Sequence, residues 1–186
     1  MRPAAHMVDV RPVTDEDRPA VVDILTRSWG ATSVAAHGVL HDAATLPGLI
    51  ATQSGRAVGL LTVQVEDGDW EVVTLDAVDS GRGIGTALLR SVEQAARAAG
   101  ARRLWLITTN DNTRALRFYQ RGGFDLVALH RDAVTRSRAT VKPSIPLEVD
   151  GIPLRHELEL ERILRCSGDP VQPAAGVLGA AVLEVQ

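Results

Sequence analysis

The hydrophobic period of the chain switches between Ala77 and Ile84. Upstream, "GLIATQ", "AVGLLTVQVE" and "WEVVTLDAV" repeat at every second residue, as half-buried strands do. Downstream, Ile84, Leu88, Val92, Ala95 and Ala99 recur at the spacing of one helix face, and Gly100 ends the run. The turn sequences "SGR" and "DGD" join the first three segments into an antiparallel meander. Beyond the helix come "RLWLITT", apolar at nearly every position, a short helix "TRALRFYQR" and a strand "FDLVALH". A meander followed by helix, strand, helix and strand closes as a mixed sheet with helices on its faces, an α/β (α+β) architecture.

The flanks complete this frame. "VDVRPV" alternates from Val8 to Val13 and reads as a strand, and Thr14 caps a helix with an acidic first turn whose inner stripe is Val21, Val22, Ile24 and Leu25. "SWGATSVAAHGVLHDAATLPG" is less regular and predicts short helical or extended pieces over one end of the domain. Asn110 to Asn112 offer caps for the second helix, and Gly122 and Gly123 end it. After His130, the helix-like "RDAVTRSRATV" leads into the loop "KPSIPLEVDGIP", and "HELELERIL" alternates strictly as a last strand.

With 186 residues, 45% of them hydrophobic, the chain supports one core. Residues 1–166 therefore read as a single domain, with 131–153 inserted before the last strand and 167–186 a flexible tail in which "VLEVQ" could form a late edge strand. A net charge of −3 gives no basic footprint, so nucleic acid is not an expected partner. No stretch of eighteen apolar residues occurs and the N-terminus lacks a secretory pattern, so neither a membrane nor a location outside the cytoplasm is expected. Cys166 is the only cysteine, which excludes an internal disulfide. His37 and His41 have the spacing of a helical metal pair but lack a third ligand, so no metal is expected.

"DSGRGIGTALL" places Gly81, Gly83 and Gly85 ahead of the helix. It lacks the third glycine of a dinucleotide fingerprint, since Thr86 stands three residues after Gly83, and it lacks the lysine of a P-loop. Two readings stay open from these residues alone. One is a strand-to-helix turn that binds nothing. The other is an anion site, in which unpaired first-turn N–H groups and the helix dipole face a phosphate that a Cβ would obstruct.

A second junction, "LITTNDNTRALRFYQRGGF", gathers Asn112, Arg114, Phe118, Tyr119 and Arg121 around one short helix. Together the two segments resemble the GNAT superfamily of acyl-CoA-dependent N-acyltransferases, over about Val8 to Val127 plus the last strand. The first signature of that family fits "SGRGIG" at Gly83 and Gly85; the second fits Asn112, Ala115, Phe118, Tyr119, Gly123 and Phe124. Ser80 stands where the family usually has Arg or Gln.

The resemblance implies a mostly antiparallel sheet splayed between its fourth and fifth strands, with acetyl-CoA as co-substrate in the gap. The pyrophosphate would lie on the N–H groups of Arg82, Gly83, Ile84, Gly85 and Thr86, with Gly81 beside them. The pantetheine arm would pair with the backbone of Leu75, Ala77 and Val78. Asn112 would hold that arm from the other side, with Ala115 and Phe118 also among the cofactor-binding positions, and Arg121 would reach the ribose phosphate. No metal is implied.

Acyl transfer from a thioester to an amine needs a neutral amine, a polarised carbonyl and a proton for the leaving thiolate. By resemblance Tyr119, the only tyrosine, supplies that proton; the ring also fits a core aromatic. An N–H around Ala77 to Val78 would be the oxyanion donor. Asp76 and Glu71 are the candidate bases, and each also fits a solvated strand residue. Glu157 and Glu159 share a face of the last strand and could bind a cationic acceptor or solvate an edge. The loop Lys142 to Pro153 is predicted to fold over the acceptor end of the cleft. The expected function is N-acetylation of a primary amine, on a small molecule or a peptide, through a ternary complex. The alternative is a domain that senses acyl-CoA without turnover; an oxidoreductase is disfavoured by the missing third glycine. A homodimer through the last strand or the tail stays open.

Overall fold

The computed structural model describes residues 8–78 and 81–164. In chain order its elements are β1 (Asp9–Pro12), α1 (Arg18–Trp29), β2 (Ser33–Ala36), β3 (Val39–Asp42), β4 (Gly48–Gln53), β5 (Arg56–Glu66), β6 (Asp69–Ala77) and α2 (Ile84–Ala98). There follow β7 (Arg103–Thr109), α3 (Thr113–Arg121), β8 (Asp125–His130), α4 (Ala133–Thr140), the two-residue strands β9 (Glu148–Val149) and β10 (Ile152–Pro153), and β11 (Glu157–Ile163). Seven strands form the central sheet in the order β1, β4, β5, β6, β7, β11, β8. Only the β6–β7 pair is parallel.

The meander closes through Ser54–Gly55 and Asp67–Gly68, each pair at positive φ, the backbone of a tight two-residue hairpin turn. His37–Gly38, with φ of 51° and 74°, makes a third such turn and joins β2 to β3. Of the short helical or extended pieces expected for this stretch, the extended ones form, joined as a hairpin. Thr14 caps a 3-10 turn at Asp15–Asp17 rather than α1 directly, and its N–H donates to Asp17 Oδ2 at 2.8 Å. Val22 is 44% exposed and leaves the inner stripe of α1 to Val21, Ile24 and Leu25.

Two cores lie on opposite sheet faces. On one, Ile84, Leu88 and Val92 of α2 pack against Leu61, Val63, Leu104, Leu106 and Leu160. On the other, Val21, Ile24 and Leu25 of α1 and Val34 of β2 cover Leu60 and Val73. Gly59 permits the close approach of α2, since a Cβ there would meet Ile84 Cγ2 at 2.6 Å. Rather than being buried throughout, β7 alternates: Leu104 and Leu106 face α2, and Arg103, Trp105 and Ile107 face the other way.

β6 carries one irregularity that matters for the site. Thr62 pairs with Thr74 and Val63 with Val72, so Val73 is an extra residue in the ladder. Glu71 and Asp76, five residues apart, would lie on opposite faces of a regular strand. Across the bulge both turn away from α2, because Trp70 and Val72 before it and Leu75 and Ala77 after it pack on the α2 side.

β11 inserts between β7 and β8, with both of its edges paired. It therefore cannot pair across a two-fold, and Glu157 and Glu159 do not solvate an edge. The edge strands of the sheet are β1 and β8. Cys166 and the tail 167–186 fall outside the described residues. No helix among the described residues is long and apolar enough to cross a membrane.

Candidate active site

β6 and β7 are paired only from Trp70 to Val72 against Leu104 to Leu106. Past Leu106 the strands diverge, between the fourth and fifth positions of the sheet, and a cleft of about 660 Å³ opens. Leu75, Asp76 and Ala77 form one wall; Asn112, Ala115, Phe118 and Tyr119 form the other, and Gly81, Gly83, Ile84, Gly85 and Thr86 the base.

The β6 wall offers a free backbone edge. Val78 donates its N–H to Val58 O at 2.9 Å, and antiparallel ladders alternate bonded and non-bonded pairs. The N–H groups of Ala77 and Leu75 therefore point into the gap, and Ala77, not Val78, is the residue able to act as oxyanion donor. Val78 and Arg82 do not line the wall of the cleft, and Ser80 lies outside the described residues.

At the base, α2 begins with no side-chain cap, and its first helical bond runs from Ala87 N–H to Gly83 O at 2.9 Å. The N–H groups of Gly83, Ile84, Gly85 and Thr86 thus have no partner within the helix, and they carry the positive end of its dipole. Gly81 and Gly83 have φ of 83° and 78°, and an added Cβ would meet nothing within 4 Å at either. Glycine serves a left-handed turn at both positions. Gly85 is the position of contact, its Cβ direction lying 3.4 Å from Leu75 Cδ2 and from Phe118 Cζ.

On the facing wall, Asn112 Oδ1 accepts the Ala115 N–H at 3.1 Å and caps α3, leaving its amide nitrogen as the group able to hold a ligand. Tyr119 packs edge-on against Phe118 and Phe124, with ring centroids 5.1 and 5.7 Å away, so it is both core aromatic and cleft wall. Burial, with the charge of Asp76 nearby, holds its hydroxyl well above the ordinary phenol value, and it keeps its proton. Asp76 is 8% exposed. Burial raises its carboxyl above the ordinary value, opposed by hydrogen bonds from Trp29 and Ser28.

Glu71 is not in this cleft. It lines a separate depression of about 200 Å³ with Trp105 and Arg103, and burial, helped by Glu157, Glu159 and Glu66, pushes it up to about 7. Arg121 and Arg114 line the outer cleft. Ser28 and Trp29 are not among the expected site residues; α1 brings both to Asp76, a contact spanning 47 positions for Trp29 that no local pattern announces. Asn110 does not cap α3. Its side chain accepts the N–H groups of Arg155 and His156 at 3.0 and 2.8 Å and donates to Pro153 O at 2.9 Å. Lys142 Nζ donates to Ser33 O at 2.6 Å, which joins the 142–153 loop to the β2–β3 hairpin. His37 and His41 lie on that hairpin, not on a helix. Among the described residues no group of three or more acidic, histidine or cysteine side chains is placed to hold a metal.

A mixed sheet opening between two parallel strands above a glycine-led helix is the frame of an acetyltransferase. Residues 18–124 match the Acetyltransferase (GNAT) family model, and the chain belongs to that family. It is 33% identical to "Uncharacterized protein YdhI" of Bacillus subtilis (strain 168) over 160 residues, 85% of this chain and 99% of the relative. In fold it is similar to the ribosomal-protein-S18-alanine N-acetyltransferase of Escherichia coli, with a TM-score of 0.65 and 16% identity over 89% of this chain and 99% of that one. It is also similar to a GNAT family acetyltransferase of Elizabethkingia anophelis with acetyl-CoA bound, at a TM-score of 0.61 and 17% identity over 84% and 97% of the two chains.

Proposed function

We propose that the chain transfers the acetyl group of acetyl-CoA to a primary amine, within a ternary complex and without a covalent enzyme intermediate. The observation that carries this reading is one cleft combining a free strand edge at Leu75–Ala77, a capless helix N-terminus at Gly83–Thr86, and an acid and a base, Tyr119 and Asp76. The helix N-terminus supplies a site for pyrophosphate. The strand edge supplies hydrogen bonds for the amide-bearing arm.

Each residue then has a step. Asp76, its carboxyl raised by burial above its ordinary value, takes the proton of the acceptor ammonium, directly or through a water. The free amine attacks the thioester carbonyl, and the Ala77 N–H stabilises the oxygen as it gains charge. As the C–S bond breaks, Tyr119 gives its proton to the thiolate, leaving an N-acetylated amine and CoA. The adduct nitrogen loses a second proton as it becomes the amide; of the two protons that nitrogen gives up, one restores the tyrosinate and the other passes from Asp76 to solvent, so the cycle releases one proton overall.

Thiol release from acetyl-CoA over a panel of primary amines tests the reading, with Tyr119→Phe as control. Turnover that falls about a hundredfold in Tyr119→Phe, with unchanged CoA affinity, supports it. Binding of CoA with no turnover of any amine, and no effect of the substitution, would make the domain an acyl-CoA sensor.

A further inference from the structure

The acetyl-transfer chemistry leaves one buried group of acids unused. Glu157 is 2% exposed; its carboxylate accepts the backbone N–H of His37, and its Oε2 is buried with no hydrogen-bond partner. Glu71 is 7% exposed and has no hydrogen bond or ion pair among the described residues. Both point away from α2, because Trp70, Val72, Leu158 and Leu160 on either side of them pack on the α2 core. The charge of Glu157 is felt at Glu71.

The neighbouring basic side chains make their short contacts with other acids, and His130 and Arg136 act on Glu157 only at longer range, with no ion pair to it among the described residues. Arg103 is bound by Asp69, Glu159 and Glu161 at 2.8, 3.2 and 2.7 Å, and His130 by Glu159 at 2.9 Å. Trp105 lines the depression with Glu71; Arg103 lies over its ring, Cζ 5.0 Å from the centroid, and the His37 ring is tilted 51° to it at 5.1 Å. Desolvated carboxylates short of partners are costly, and an ammonium group reaching both would offset that cost.

The position fits the acceptor side of the cleft. Asp76 is on the same sheet face as Glu71, and Glu157 pairs with Thr109 at the end of β7 where the cleft begins. Glu157 therefore stands across the opening from the Asp76 strand. We infer that Glu157 and Glu71 bind a second, non-reacting ammonium group of the acceptor, so that the preferred substrate is an extended diamine or polyamine rather than a monoamine. The ammonium enters at the Glu71 end, where the depression is open, with the His37–Gly38 tip over Glu157. This rests on acetyl transfer for the reacting amine, but the cation site itself does not.

Calorimetry on the CoA-loaded chain, with heptane-1,7-diamine and heptylamine as probes, separates the two. The diamine is expected to bind at least tenfold tighter than the monoamine, and this ratio is expected to fall towards one in both Glu157→Gln and Glu71→Gln. Gln at 157 retains an acceptor oxygen for the His37 N–H, and melting curves identify a variant that fails to fold; Glu71→Gln is the independent second variant. Equal binding of the two probes by the wild type, or a ratio that survives both substitutions, overturns the inference. Diamine-selective binding with no acetylation of either probe leaves the cation site standing and removes the acetyl-transfer reading; acetylation without selectivity does the reverse.

Discussion

The indole Nε1–H of Trp29 donates to both carboxylate oxygens of Asp76, at 3.1 Å each. One residue closes α1 and the other lies near the end of β6, so the helix on one sheet face holds the charged form of a side chain at the cleft on its border. Burial pushes the Asp76 carboxyl up, and this donor and Ser28 hold it down.

Trp29→Phe removes the donor and keeps most of the packing. Losing a hydrogen bond to the charged form raises the Asp76 pKa further. The acid limb of kcat/KM against pH is expected to move to higher pH, read from thiol release between pH 5 and 9. A limb that stays in place excludes Asp76 as the base.

Gly83 and Gly85 are separable. Gly83→Ala puts a Cβ into open space but on a left-handed backbone, at a cost of about 1 kcal/mol; Gly83→Asn, better tolerated there, is expected to cost less. Gly85→Val drives methyl groups against Leu75 and Phe118, the walls of the cleft. CoA titration with melting curves should show Gly83→Ala losing stability and affinity together. Gly85→Val should lose affinity well beyond its loss of stability. Equal profiles for the two would mean that Gly85 does not shape the binding wall.

Asn110 is the brace of the late loop. Asn110→Ala leaves the Arg155 and His156 N–H groups without their acceptor and frees Pro153 O, a loss of about 1–3 kcal/mol confined to this corner. Hydrogen exchange is expected to speed up across 142–156 while α2 stays protected. If the loop shapes the acceptor end, the amine KM rises with CoA affinity unchanged; an unchanged KM despite faster exchange separates the loop from specificity.

What the sequence showed plainly was local. Ser54–Gly55, Asp67–Gly68, the glycines before Ile84 and the Asn112 cap each act within a few residues, and all stand where the pattern placed them. The features it hid depend on distant pairing. That β11 enters between β7 and β8 follows from no residue in "HELELERIL", and Glu157, for which a solvated edge was one of two readings, is buried for that reason. The bulge at Val73 is equally silent, yet it puts Glu71 and Asp76 on one face while the strand length keeps them in separate depressions. The β2–β3 hairpin escaped because "VAAHGVLHD" alternates weakly, its turn signalled only by His37–Gly38.

Glu71 carries a pH signature of its own. Its ordinary value of 4.5 is raised to about 7 in the folded chain, first by burial and then by Glu157, Glu159 and Glu66. Below about pH 4.5 the side chain is protonated in both folded and unfolded states and contributes no pH dependence. Between about 4.5 and 7 the unfolded chain releases its proton while the folded chain keeps it, so this group makes stability fall as pH rises, by up to ~3 kcal/mol, and the loss is constant above that window. Glu71→Gln is neutral at every pH and escapes the loss. Urea midpoints at about pH 5 and pH 8 are therefore expected to show the variant gaining on the wild type at the higher pH, and heptane-1,7-diamine at pH 8 should restore much of the wild type's deficit. A difference between the two chains that is the same at both pH values would mean that Glu71 ionises in the fold as it does in water.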